Sequence, residues 1–194
     1  MILEVEQLNK LDFSKQLVFA YLACERLYPN YCYFSKNYEF GNPKVLRKAI
    51  DYISDNIFNY SPDTNTINLF IQQLDANIPE PADYDTILAS SALDSCTSII
   101  EALNYLLDKQ TSRLNNISTM ATDTADMYIQ QKEDLDYNND KDFQKKIDSH
   151  PIMQKEVLIQ KGIISYLLKI NNLQPVDIDT LIQLQENNKG SLSL

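Results

Sequence analysis

The sequence predicts an all-α fold, a single compact bundle of seven to nine helices with no β-sheet. Three observations predict it. Apolar residues recur at three- and four-residue spacing along most of the chain. No strand-length run of alternating β-branched residues bounded by turns competes with that period. Helix punctuation falls where the periodic stretches end: Asp12, Asn42-Pro43 and Ser61-Pro62-Asp63.

The first helix is expected over Phe13–Tyr28, with Asp12 as N-cap. Its stripe is Phe13, Leu17, Tyr21, Cys24 and Tyr28, but Phe19, Leu22 and Leu27 make the other faces apolar too, which marks a central, buried helix. Pro29 is expected to break it, since proline cannot continue the backbone ladder. A tyrosine-rich second helix, Tyr31–Phe40, then ends at Gly41. Asn42 and Pro43 restart the chain as N-cap and first helical residue. The third helix, Pro43–Asn59, carries Val45, Leu46, Ala49, Ile50, Ile53 and Ile57 on one face. The fourth, Thr64–Asn77, stops before the loop "IPEPADY". The fifth, Thr86–Lys109, has the cleanest stripe: Leu88, Ala92, Cys96, Ile99, Leu103 and Leu106. A sixth, Ser112–Glu133, runs out in the acidic stretch "EDLDYNNDKD". A short piece at Phe143–Ile147, a long helix Pro151–Asn171 and a last helix Asp177–Asn187 complete the set. The expected organisation is one helical domain over residues 1–188 and a loose tail, 189–194.

Composition narrows function by exclusion. A chain of 194 residues suits one domain and needs no metal or disulfide staple. Its three glycines, Gly41, Gly162 and Gly190, lie far apart, so no glycine-rich phosphate cradle is expected. The net charge of −10 repels nucleic-acid phosphates and anionic membranes alike. The longest apolar stretch, Leu17–Cys24, is too short to span a bilayer, and "MILEVEQLNK" lacks a signal-peptide pattern. Cys24, Cys32 and Cys96 form no C-x-x-C pair, and an odd number is a poor disulfide framework. A cytoplasmic protein is expected, with neither nucleic acid nor membrane as partner.

Four stretches in order, "CERLYPNYCYFSKNYEFG", "RKAIDYI", "ALDSC" and "KEVLIQ", resemble the bacterial YjaG-like family, catalogued as domain of unknown function 416. The most specific part is Glu25-Arg26-x-Tyr28-Pro29-Asn30-Tyr31. The resemblance spans nearly the whole chain. It implies a compact all-helical cytoplasmic domain and brings no catalytic residues with it.

Polar residues on apolar helix faces are the candidates for chemistry. On the long helix from Pro151, Glu156 and Gln160 fall near the middle of an arc of Ile152, Val157, Ile163, Ile164 and Leu167. A carboxylate there must find donors, because burying an unpaired charge costs several kcal/mol. Glu25 and Arg26 point away from each other, since adjacent helical residues do not face one another. Each therefore needs its own partner: Asp94 or Glu156 for Arg26, Arg47 or a tyrosine hydroxyl for Glu25. Glu25, Arg26, Asp94, Glu156 and Gln160 are the expected pool for one buried polar network, which either fixes helix register or forms a site. Asp94, Glu101 and Asp108 also fall at heptad spacing opposite their stripe, as a solvated acidic face would.

Other chemistries find little footing. A di-iron bundle site wants Glu-x-x-His on two helices, and the chain has one histidine, His150. Zinc spacing is absent. Asp123-x-x-Asp126 and Glu133-x-x-Asp136 have the spacing of a carboxylate Mg²⁺ site, though helix-surface charge accounts for both. Cys24 and Cys96 sit on apolar stripes, where cysteine acts as a small hydrophobe. No cofactor or metal is expected. Seven of the twelve tyrosines lie between Tyr21 and Tyr60, and Tyr28, Tyr31, Tyr33 and Tyr38 form a candidate aromatic surface. The favoured expectation is a non-enzymatic module that binds an unidentified protein or self-associates. The alternative is an enzyme or small-ligand binder with a pocket lined by Glu25, Tyr28, Tyr31, Glu156 and Gln160.

Overall fold

Helix α1 runs without interruption over Phe13–Tyr38, with Pro29 inside it, so the two helices expected here are one. Proline at position 29 withdraws the N–H that would bond the Glu25 carbonyl and crowds that carbonyl. The next two carbonyls have donors from elsewhere in the fold. Arg26 O accepts from Ser191 N–H at 2.9 Å, and Leu27 O accepts from Ser95 Oγ at 2.8 Å. A helix can pass through a proline when its surroundings satisfy the disturbed turn. The donors lie far away in sequence, and only the folded chain brings them in.

The computed structural model describes residues 5–185, 190–192 and 194. Asp12 opens α1 by accepting from Lys15 N–H. At the other end Glu39 is left-handed, and its N–H bonds Ser35 O. Gly41 then turns the chain at φ +68°, where a Cβ would collide with the Tyr31 hydroxyl. Asn42 and Asp63 cap α2 (Pro43–Phe58) and α3 (Thr64–Asp75) by accepting from Lys44 N–H and Thr66 N–H. There follow α4 (Leu88–Asp108), α5 (Thr111–Lys132), α6 (Phe143–Ser149), α7 (Pro151–Lys169) and α8 (Pro175–Leu184). Short 3₁₀ turns occupy Val5–Lys10 and Pro81–Asp83. Helix α8 starts earlier than its periodicity suggests because the Asp177 carboxylate accepts from Gln174 N–H, fixing the first turn. The expected end of that helix at Asn187 falls outside the described residues. There is no strand among the described residues, and no helix in them is long and apolar enough to cross a membrane.

Helix α1 is the axis around which the others pack. It touches α2, α4, α5, α7 and α8, and from Lys15 to Leu27 every residue is buried. Lys15 reaches the far end of α7, where its Nζ donates to the Ile170 carbonyl at 2.7 Å, placing a cation at a helix C-terminus. Within the expected loose tail, Ser191 and Leu192 are buried while Leu194 is exposed, and Asn30 Nδ2 donates to Ser191 Oγ at 2.8 Å. This short stretch covers the proline turn of α1 and supplies the N–H that Arg26 O accepts.

Candidate functional site

Glu25 and Arg26 sit on the buried half of α1 and diverge into two charged clusters. Arg26 grips Glu156 of α7 with two prongs: Nε donates to Oε2 at 2.9 Å and Nη2 to Oε1 at 2.7 Å. Its Nη1 donates to Gln185 Oε1, just past α8, at 3.0 Å. Gln160, one turn along α7 from Glu156, donates Nε2 to Glu156 Oε1 at 2.7 Å. The other end of that amide accepts from Ser118 Oγ of α5 at 2.7 Å. The Arg26 and Glu156 side chains are 2% and 1% exposed, so the cluster is sealed from water. It ties α1, α5, α7 and the end of α8 into one register.

Glu25 belongs to the second cluster. Arg47 of α2 donates Nη1 and Nη2 to its two carboxylate oxygens at 2.9 and 2.7 Å, and donates Nε to Asp51 at 2.8 Å. The Arg47 guanidinium also stands 5.4 Å from the centre of the Tyr28 ring. Here the arginine side chain is 31% exposed. Burial pulls Arg47 down in pKa, but hydrogen bonding to Glu25 and its charge outweigh that and hold the arginine protonated. Burial, followed by the Glu25 charge, pushes the neighbouring Tyr21 hydroxyl up to about 12. Neither tyrosine nor guanidinium is poised to move a proton near neutral pH.

The remaining sequence candidates lie apart from these clusters. Asp94 accepts from Thr124 Oγ1 of α5 at 2.7 Å, and burial pushes its carboxyl up to about 6 against that hydrogen bond. Asp94 is thus not the partner of Arg26, and of the acidic face expected at Asp94, Glu101 and Asp108, the last two are both bridged by Arg113. Tyr31 is fully buried and donates to the Asn77 carbonyl at 3.0 Å, so it is no part of an aromatic surface. Gly41 leaves room for its ring to lie in the turn. Tyr28 is half-buried, while Tyr33 and Tyr38 are exposed. Tyr38 stacks on Phe34 and meets Tyr84 edge-on. Burial pushes the Cys24 and Cys96 thiols well above the ordinary thiol range. His150 caps α7 through Nδ1, which accepts from Ile152 N–H.

The five residues of the expected ligand pocket therefore divide among separate surroundings. Glu156 and Gln160 are sealed with Arg26, Glu25 and Tyr28 flank Arg47, and Tyr31 is packed against the Asn77 turn. Two surface clefts contain none of them. One of about 500 Å³ runs between α7 and α8, and one of about 380 Å³ lies between the start of α2 and the end of α3. Sequence reasoning missed Ser118, Gln185 and Ser191. A serine on a serine-rich helix, a terminal glutamine and a tail serine carry no periodic signal.

The comparisons with known proteins give the family. The family model described as protein of unknown function (DUF416) matches residues 4–191. The chain belongs to the DUF416 family. A DUF416 family protein from Shewanella baltica OS155, known from a crystal structure, is 25% identical with a TM-score of 0.87, covering 99% of this chain and 98% of that one. The chain is also similar to uncharacterized YjaG of Salmonella typhimurium, 29% identical over 105 residues, which is 54% of this chain and 53% of that protein. The match thus spans about half the length of that curated relative. An uncharacterized protein of Haemophilus influenzae is 23% identical over 138 residues, 70% of each chain. In this DUF416 chain, three of the four stretches carrying the family resemblance supply the charged clusters. Glu25 and Arg26 come from the first, Arg47 and Asp51 from the second, and Glu156 and Gln160 from the last, while Ser95 of the third bonds the Leu27 carbonyl beside them.

Proposed function

We propose that this DUF416 chain is a cytoplasmic, non-enzymatic helical module that acts by binding a protein partner or by self-association. The observation that carries the reading is the sealed Arg26–Glu156–Gln160 cluster. Both oxygens of Glu156 and three nitrogens of Arg26 are spent on each other and on amide side chains. A catalytic acid, base or anion clamp needs a free face toward substrate, and these groups present none. Their energetics fit a register lock: a buried pair repays its desolvation only with such geometry, and it penalises other helix packings. The three cysteines are free thiols, the state a reducing compartment favours.

The fold also leaves some apolar surface open to solvent: Tyr33 and Tyr38 on α1, and the groove edged by Leu158 and Leu184. Aromatic and aliphatic side chains of this kind are the usual anchors of protein contacts. The test has two arms. Thermal-shift screening against divalent metals and nucleotides, with Glu156→Gln alongside, should give no stabilisation of either protein. A ligand-induced shift that the variant loses overturns the reading. In the second arm, photo-crosslinking side chains placed at Tyr33, Tyr38 and Leu158 in living cells should trap discrete protein adducts. Silence at all three positions counts equally against it.

A further inference from the structure

The cleft of about 380 Å³ between the start of α2 and the end of α3 falls within the size range of small-molecule sites. Its walls hold Lys44 and Lys48 but no carboxylate, although the chain as a whole carries −10. The two lysines are one helical turn apart, a spacing at which like charges destabilise a helix. Neither side chain has an ion pair or hydrogen bond among the described residues. Arg47 between them is spent on Glu25 and Asp51, which also takes Asp51 away as a counter-ion for Lys48.

The hydrogen bonds around the cleft leave donors over and use up acceptors. Asn77 spends both ends of its amide: Oδ1 accepts from Asn42 N–H at 2.7 Å, and Nδ2 donates to the Gln73 carbonyl at 2.7 Å. Its own carbonyl accepts from the Tyr31 hydroxyl. Asn42 turns Oδ1 to Lys44 N–H at 3.1 Å, and its carbonyl takes Val45 N–H at 3.0 Å. With Pro43 lacking an N–H, the cleft depends on side chains rather than on the helix end. What stays unbonded is rich in donors: two ammonium groups, Asn42 Nδ2 and the Gln73 side-chain amide. Negatively charged oxygens complete such a set.

We propose that the α2–α3 cleft binds a small dicarboxylate, one carboxylate on each lysine and its short carbon body against Val45 and Ala76. Four residues of helix rise separate the lysines by about 6 Å along the axis. Two carboxylates joined by a short chain span that distance, whereas a single phosphate concentrates its charge at one point. The cleft has no arginine fork to hold a phosphate with two prongs, and no aromatic ring on which a nucleobase could stack. A bound dianion relieves the repulsion between Lys44 and Lys48 and ties α2 to α3 through Gln73. The cleft shares no residue with the Arg26–Glu156 cluster, so binding here is separate from the register lock.

The test is isothermal titration calorimetry of the intact chain at low ionic strength, with succinate as the probe. Succinate should bind. Butyrate, which has the same chain length and one carboxylate, should bind roughly tenfold more weakly or worse. Lys44→Gln with Lys48→Gln should remove succinate binding; both lysines are exposed, so the fold is kept. Lys145→Gln with Lys169→Gln, the same change of charge at exposed positions elsewhere, should leave binding intact. Gln73→Ala should weaken it about threefold. No binding of succinate, binding that survives the Lys44 and Lys48 replacements, or equal binding of inorganic phosphate overturns the proposal. So does a peptide ending in two aspartates that binds where succinate does not, in favour of carboxylates carried by a protein. Glu156→Gln should bind succinate as the wild-type chain does; loss in that variant would move the ligand to the sealed cluster and overturn the cleft.

Discussion

Arg26 and Arg47 each hold a glutamate with two hydrogen bonds of nearly the same lengths, yet they do so in different media. The Arg26–Glu156 pair is 2% and 1% exposed, and the Arg47–Glu25 pair 31% and 8%. The first joins residues 130 apart in sequence, the second residues 22 apart. Water and salt reach Arg47, so Glu25 contributes what a partly screened pair can. No water reaches Arg26, so removing its partner leaves a charge in a medium that cannot solvate it. The lesson is that geometry alone does not set the importance of an ion pair. Two neighbours on one helix, Glu25 and Arg26, are separated energetically by the direction each faces.

The largest expected effect tests the sealed pair directly. Glu156→Gln keeps the shape and removes the charge, and it should cost about 3–5 kcal/mol in urea unfolding. Replacing both partners, Arg26→Met with Glu156→Leu, should recover most of that loss, because no charge is then left buried. If the single substitution costs no more than Glu25→Gln, the comparison collapses.

Next comes the stretch that covers Arg26. Deleting residues 186–194 removes the Ser191 N–H from the Arg26 carbonyl and uncovers the site of Leu192. The expected loss is about 3 kcal/mol by chemical denaturation. It should be smaller by about half in a chain already carrying Arg26→Met and Glu156→Leu, where water reaching the site meets no ion pair.

Asp94 sharpens the contrast by having no arginine at all. Burial, with Asp123 nearby, lifts its carboxyl to about 6, above an unfolded value of about 3.9. A raised folded-state pKa contributes stability that is complete below pH about 4 and is lost as pH rises through about 6. Asp94→Asn should therefore raise stability at pH 7 by about 2 kcal/mol, after allowance for its partial exposure. The gain should vanish near pH 4, and paired thermal melts across that window check the sign.

The smallest effect belongs to the outer pair. Glu25→Gln should cost about 1 kcal/mol, because Arg47 keeps Asp51 and solvent. The difference from wild type should shrink in high salt, whereas the Glu156→Gln loss should be nearly salt-independent. Urea titrations at two ionic strengths distinguish the two.

Much of this molecule was legible before folding, and the reasons are local. Period, caps and breakers are properties of residues within a few positions of each other, so the seven helices from α2 to α8 appear near their expected places. The same local geometry made Glu25 and Arg26 diverge, and put Glu156 and Gln160 in an apolar arc where they had to be satisfied. Locality also explains the errors. Pro29 reads as a helix end because its own backbone forbids the ladder. It becomes a helix interior because Ser95, from α4, and Ser191, from the far end of the chain, bond the carbonyls beside it. Tyr31 reads as surface and is core because Gly41 and Asn77 close over its hydroxyl.

The sequence by itself determined the helices, the faces they bury, the acidic balance and the need for two separate charged partners. Tertiary structure alone decided which partners those are, which pair is dry, and that a lysine-flanked leucine on α7 stays exposed beside an apolar groove. Helix period is set by bonds a few residues long. The pairing and burial of Arg26 are set by contacts with residues more than a hundred positions away, and no local pattern encodes those.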